Sequence, residues 1–118
     1  MKGQSFWKRL GFALHGIKVT TTRERSFRTQ LLFVFSLMVL LLVIRPSAVW
    51  CAVMALTVGL VLVTELVNSA LETLIDHIHP DQHPEIGAAK DIAAGAVLVS
   101  SLVSLAVALI FFVDWLFP

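Results

Sequence analysis

The chain has 118 residues, of which 58% are apolar and 14% charged, and its mean hydropathy is +0.87. That balance excludes an ordinary soluble globular protein, and the length holds a single domain. The formal net charge is only +1, but Lys2, Lys8, Arg9, Lys18, Arg23, Arg25 and Arg28 all precede the first long apolar run, and only Arg45 and Lys90 follow it.

Taken in order, Phe6, Leu10, Ala13, Leu14 and Ile17 recur on one helical face with Lys8, Arg9 and Lys18 on the others. This predicts an amphipathic helix over about 5–20, lying in a membrane surface with Trp7 at the interface. Thr20-Thr21-Thr22 predicts an interruption, and Thr21 with Glu24 three residues on fits a capping box opening the next helix. Residues 29–44 form the first expected span, at about 24 Å, short enough that flanking arginines must snorkel. This run lies behind a long basic segment and ends in Arg45-Pro46, a poor cleavage site, so it is expected to be retained.

Arg45-Pro46-Ser47 predicts a tight turn, and residues 48–64 a second span of about 25 Å. The second helix is expected to continue to about 78, where Pro80 and the residue before it disfavour helix, leaving 80–84 as loop. Residues 92–113 give a third span of about 33 Å, in which Ala96, Ser100, Ser104 and Ala108 repeat every fourth position as a face for close helix approach. The expected fold class is therefore all-α and integral to a membrane: one surface helix and three transmembrane helices. The clustered cations place the N-terminus in the cytoplasm, and with it the loop between the second and third spans.

Beyond Thr64 the second helix turns polar: Glu65, Asn68, Glu72 and Asp76 share one helical face. A carboxylate within a spanning helix costs about 2.5–3.5 kcal/mol at its centre even on the lenient insertion scale, so such groups are functional candidates. Glu65 is the strongest, because Leu62, Val63, Leu66 and Val67 flank it. The known soluble nucleotide signatures, GxxxxGK[ST] and GxGxxG, are absent, and nothing points to a nucleic-acid partner. Phosphoryl transfer on another scaffold needs acids for Mg²⁺, a cation for phosphate and a proton acceptor, and Glu24, Glu72, Lys90 and Glu65 supply these residue types. Structural roles compete for several of them. Glu24 also fits a helix cap, Asp91 a helix N-terminus, and Asp76 and Lys90 a solvated surface. His77, His79, His83 and Asp81 suit a loop touching nucleotide or headgroups better than a zinc site, since Pro80 breaks the helix that would align them. Cys51 is the lone cysteine and is read as a packing residue.

The run Glu65-Leu66-Val67-Asn68-Ser69-Ala70-Leu71-Glu72 with Asp76, followed by Ala89-Lys90-Asp91 and preceded by Glu24-Arg25-Ser26-Phe27-Arg28, resembles the small prokaryotic diacylglycerol kinase and undecaprenol kinase family across nearly the whole chain. The resemblance implies a homotrimer with active sites shared between subunits at the cytoplasmic face of the bacterial inner membrane, using ATP and Mg²⁺. Carried over by position, it implies Glu65 as proton acceptor and Glu24 and Glu72 as metal-coordinating acids. It implies ATP contacts from Glu24, Asn68, Glu72, Asp81, Gln82, His83, Lys90 and Asp91, and lipid contacts from Phe27, Arg28, Gln30 and Glu65. Gln30 departs from relatives that carry an acid there, and Ser5 from those with an arginine. The expected reaction converts diacylglycerol to phosphatidic acid. Undecaprenol is the alternative acceptor, and a proton-carrying or structural membrane subunit the reading from another class.

Overall fold

The computed structural model describes residues 2–118, which form helices α1 (Phe6–Arg23), α2 (Arg25–Ile44), α3 (Ala48–Ile78) and α4 (Pro84–Leu116). The last three are long and apolar enough to cross a membrane. By rise per residue α3 and α4 are about 46 and 50 Å long, well beyond a hydrocarbon layer of about 30 Å, so the spans have helical extensions that carry polar residues.

The three threonines do not interrupt α1. Each turns its hydroxyl onto a carbonyl of its own helix, Thr20 to Gly16 at 2.9 Å, Thr21 to Ile17 at 2.7 Å and Thr22 to Val19 at 2.9 Å, which lets the helix run on to Arg23. The break falls at Glu24, whose backbone is extended (φ −106°, ψ 111°) and which closes α1 and opens α2 at once. No capping box forms: Thr21 lies inside α1 with its hydroxyl on the Ile17 carbonyl, and Glu24, itself at the N-cap of α2, makes no side-chain cap hydrogen bond. The exposed end of α1 is closed instead by Arg28, whose Nη1 donates to the carbonyls of Thr21 and Thr22 at 3.1 and 2.9 Å.

Arg45 ends α2 in the left-handed region (φ 53°), and Ser47 caps α3 by accepting from the Trp50 amide at 3.4 Å. α3 ends at Ile78 as expected, with His79 and Pro80 beyond it. Its successor begins eight residues before the expected 92, because Pro84 sits in the first turn, where its fixed φ suits a helix and its missing N–H costs nothing. His83 completes that start by accepting from the Glu85 amide at 3.1 Å.

α3 and α4 pair along their length; α2 lies more lightly on α3, and α1 touches α2 and the second half of α3, near Leu66–Leu74. The hairpin of α3 and α4 is pinned at three levels. Lys90 bridges Asp76 at the loop end, Thr64 and Ser100 share a hydrogen bond at 2.9 Å in the middle, and Trp50 Nε1 donates to Asp114 at 3.2 Å at the far end. As the α3 position falls the α4 position rises in nearly equal steps, the register of two straight antiparallel helices. The buried face of α4 is Ala93, Ser100 and Phe111, not the fourfold repeat. Positions four apart advance about 40° around a helix of ~3.6 residues per turn, so that stripe winds off the contact. Ser100 is buried, Ser104 and Ala108 are half-buried, and Ala96 is exposed.

The molecule measures 54 × 39 × 23 Å, and its short dimension is about two helix diameters. Such a slab leaves most apolar side chains outward: Leu42, Leu56 and Ile92 are each more than 70% exposed, and the buried apolar set is Phe27, Met54, Ala93 and Phe111.

Candidate active site at the junction of three helices

Three helices meet where α1 turns into α2 against the polar half of α3. Glu65 is 5% exposed there, and its carboxylate has a partner from another helix: the Ser26 hydroxyl donates to Oε1. One turn further along α3, Ser69 donates to Glu24 Oε1 at 3.2 Å. The two contacts are reciprocal, with an acid and a hydroxyl from each side of the junction. The first gives the buried Glu65 carboxyl a polar partner, which offsets part of the cost of burying a polar group.

Asn68 lies on the same face, half-buried, and its Oδ1 is buried without a hydrogen-bond partner. Glu72 is half-buried one turn beyond it and makes no hydrogen bond among the described residues. A lone buried amide oxygen between two carboxylate-bearing turns is an unused acceptor. Together with Glu24 and Glu72 it offers hard oxygen donors, the kind that Mg²⁺ takes. Among the described residues no three His, Cys, Asp or Glu side chains converge as a closed metal cluster, so a bound ion would need further oxygens from outside the protomer or from its ligand.

The second group of expected residues lies at the loop. Asp81, Gln82, His83 and Lys90 line one cavity of about 450 Å³, together with His79 and Gly87. His79 Nδ1 lies 3.0 Å from the Asp81 carbonyl, and the rings of His79 and His83 meet edge to face at 6.2 Å. Lys90 is held by Asp76, with side chains 36% and 61% exposed respectively. An ion pair that open is worth about 0–1 kcal/mol, so drawing Lys90 onto a phosphate costs little. Asp91 is exposed on the next position and joins neither group.

The residues expected at the lipid are divided. Phe27 is packed inside the protomer at 2% exposure and Arg28 is spent on the end of α1, whereas Gln30 lines a groove of about 860 Å³ over α3, between α2 and α4. Arg25, Ser26, Thr29 and Gln30 make that groove polar at the Glu65 end, and residues such as Phe33, Leu37, Val61 and Leu105 make the rest apolar. The Gln30 Oε1 is buried there without a partner.

Sequence reading overlooked Ser26, Ser69 and Thr64 as site or register residues, and singled out Ser100 only as part of the small-residue repeat. Ser69 alone carried a usable signal: it stands four positions after Glu65, so it continues the acidic face.

The family model for prokaryotic diacylglycerol kinase matches residues 11–112. The chain belongs to the prokaryotic diacylglycerol kinase family. Among relatives, it is 32% identical to the undecaprenol kinase of Bacillus subtilis over 91% of this chain and 87% of that one. It is 29% identical to the diacylglycerol kinase of Escherichia coli over 82% of this chain and 80% of that one. With the diacylglycerol kinase of Pseudomonas aeruginosa the identity is 31% over 84% of each chain. Membership makes the chain a lipid kinase by family, and the reading as a proton-carrying or structural subunit gives way to it.

Proposed function

We propose that the protein transfers the γ-phosphoryl group of ATP to the hydroxyl of diacylglycerol at the cytoplasmic face of the bacterial inner membrane. One observation carries this reading: an apolar groove with a polar end at Ser26 and Gln30, beside the buried carboxylate of Glu65. An acyl chain fits the apolar length, and a glycerol hydroxyl then arrives beside Glu65. Glu65 takes the hydroxyl proton, the hydroxyl oxygen bonds to the γ-phosphorus, and the bond to the β-phosphate oxygen breaks, releasing ADP. Lys90, with Asp81, Gln82 and His83 around the loop cavity, faces the phosphates and nucleotide. Glu24, Glu72 and the free Asn68 oxygen would hold Mg²⁺, which supplies charge neutralisation at the phosphates.

We take the assembly to be a homotrimer, as the resemblance implies, and the slab shape supports association of subunits. A protomer two helices thick, with α2 and α4 out of contact, encloses neither ATP nor lipid, so neighbouring subunits complete each site. α1, exposed from Phe6 to Lys18, lies on the membrane surface in this arrangement.

A polyprenol acceptor is the second reading, favoured by the longer match to the undecaprenol kinase. The test is a lipid panel with purified protein in micelles and MgATP. Diacylglycerol phosphorylation above all other lipids supports the first reading, preferential undecaprenol phosphorylation replaces it with the second, and no lipid-dependent ATP use overturns both.

A further inference from the structure

Most hydroxyls on these helices are spent on their own backbone. Thr29 donates to Arg25, Ser36 to Leu32, Thr57 to Met54 and Thr73 to Ser69, each on a carbonyl three or four residues back. Ser26 does not follow them. Four residues before it stands Thr22, which belongs to α1 on the other side of the bend at Glu24, and its carbonyl already accepts from Arg28. The bend thus removes the carbonyl that a helical serine ordinarily uses, and the Ser26 hydroxyl crosses to Glu65 Oε1 instead.

Two anchors keep that crossing in place. Phe27, the next residue, is buried at 2% exposure, and Glu24, two residues earlier, is tied to Ser69. The first turn of α2 is therefore held on both sides of Ser26, by the burial of Phe27 and by the tie from Glu24 to α3. Glu65 Oε2, by contrast, has no hydrogen-bond partner among the described residues.

We propose that Ser26 is a positioning residue for Glu65: its hydroxyl occupies Oε1 and fixes the carboxylate plane, leaving Oε2 for the acceptor hydroxyl. This rests on the lipid kinase reading. A base whose two oxygens are distinguished in advance meets the acceptor in one orientation, and loss of that alignment falls on the chemical step rather than on nucleotide binding.

Ser26→Ala and Ser26→Thr test it together, each checked for an intact oligomer by size-exclusion chromatography. Ser26→Ala should lower kcat for lipid phosphorylation by about tenfold to a hundredfold with KM for ATP unchanged, and Ser26→Thr, which keeps a hydroxyl, should restore most of it. An activity-independent arm follows the carboxylate stretch of Glu65 by infrared difference spectroscopy, assigned by its loss in Glu65→Gln. The band should shift in Ser26→Ala and stay in place in Ser26→Thr. Unchanged kcat in Ser26→Ala, a rise in KM for ATP in place of a fall in kcat, or an unmoved band each overturns the proposal. A wild-type protein that phosphorylates no lipid in the panel removes the kinase reading, while the infrared arm still decides whether Ser26 holds Glu65.

Discussion

Ser69 Oγ donates to Glu24 Oε1 at 3.2 Å and so fastens the bend between α1 and α2 to α3, one turn beyond Glu65. Glu24 is free to accept because its side chain caps no helix. The bend is thereby the structural link between the N-terminal helix and the acidic face, and a metal ion drawing on Glu24 would also draw on that link.

Glu24→Gln and Glu72→Gln should each raise the magnesium concentration needed for half-maximal activity and lower the maximal rate. If sites are completed between subunits, mixing the two impaired variants in one oligomer should recover part of the activity. Full activity of either variant across a magnesium titration would remove it from the metal set.

Glu65→Gln keeps the shape of the side chain and its contact with Ser26 but takes away the proton acceptor. Turnover should fall by roughly 10²-fold to 10⁴-fold, the usual effect of losing a general base, while ATP affinity and the oligomer are retained. Turnover beside nucleotide binding and thermal stability, measured on the same preparation, checks this; near-normal turnover excludes Glu65 as the base.

The Thr64–Ser100 contact should carry a modest share of the α3–α4 pairing. Each hydroxyl has one proton, so one of the pair donates to the other while the acceptor donates to its own helix, Ser100 to Val97 or Thr64 to Val61. A double-mutant cycle of Thr64→Val and Ser100→Ala, read by unfolding in micelles, should return a coupling of about 0.6 kcal/mol. Strict additivity would show that apolar packing alone sets this register.

Lys90→Gln should raise KM for ATP with a smaller effect on stability, since the exposed pair with Asp76 contributes about 0–1 kcal/mol. Asp76→Asn should change melting temperature by no more than a few degrees. A large loss of stability in either variant would mark the pair as structural.

Orientation is checked with single cysteines placed between 77 and 86 in a Cys51→Ser background. They should react with an impermeant thiol reagent only when the cytoplasmic face is open, and labelling on intact cells would invert the topology.

Helix existence, the continuation of α3 to Ile78 and the acidic face were legible in the sequence, because each follows from local periodicity and from residues that stop helices. Helix ends at Glu24 and Pro84 were not. A threonine run reads as a break until its hydroxyls are seen satisfied on the preceding turn, and a proline reads as a stop although it also suits a first turn.

Position on a helix likewise says which residues share a face but not which face meets another helix. Residue order alone therefore decided that Glu65 is a carboxylate in apolar company, with Asn68 and Glu72 beside it. Only the tertiary structure decided that Ser26 supplies its hydrogen bond, that Ser69 holds Glu24, and that Phe27 is packed inward, since those contacts join residues about forty positions apart through a bend whose angle no local pattern encodes.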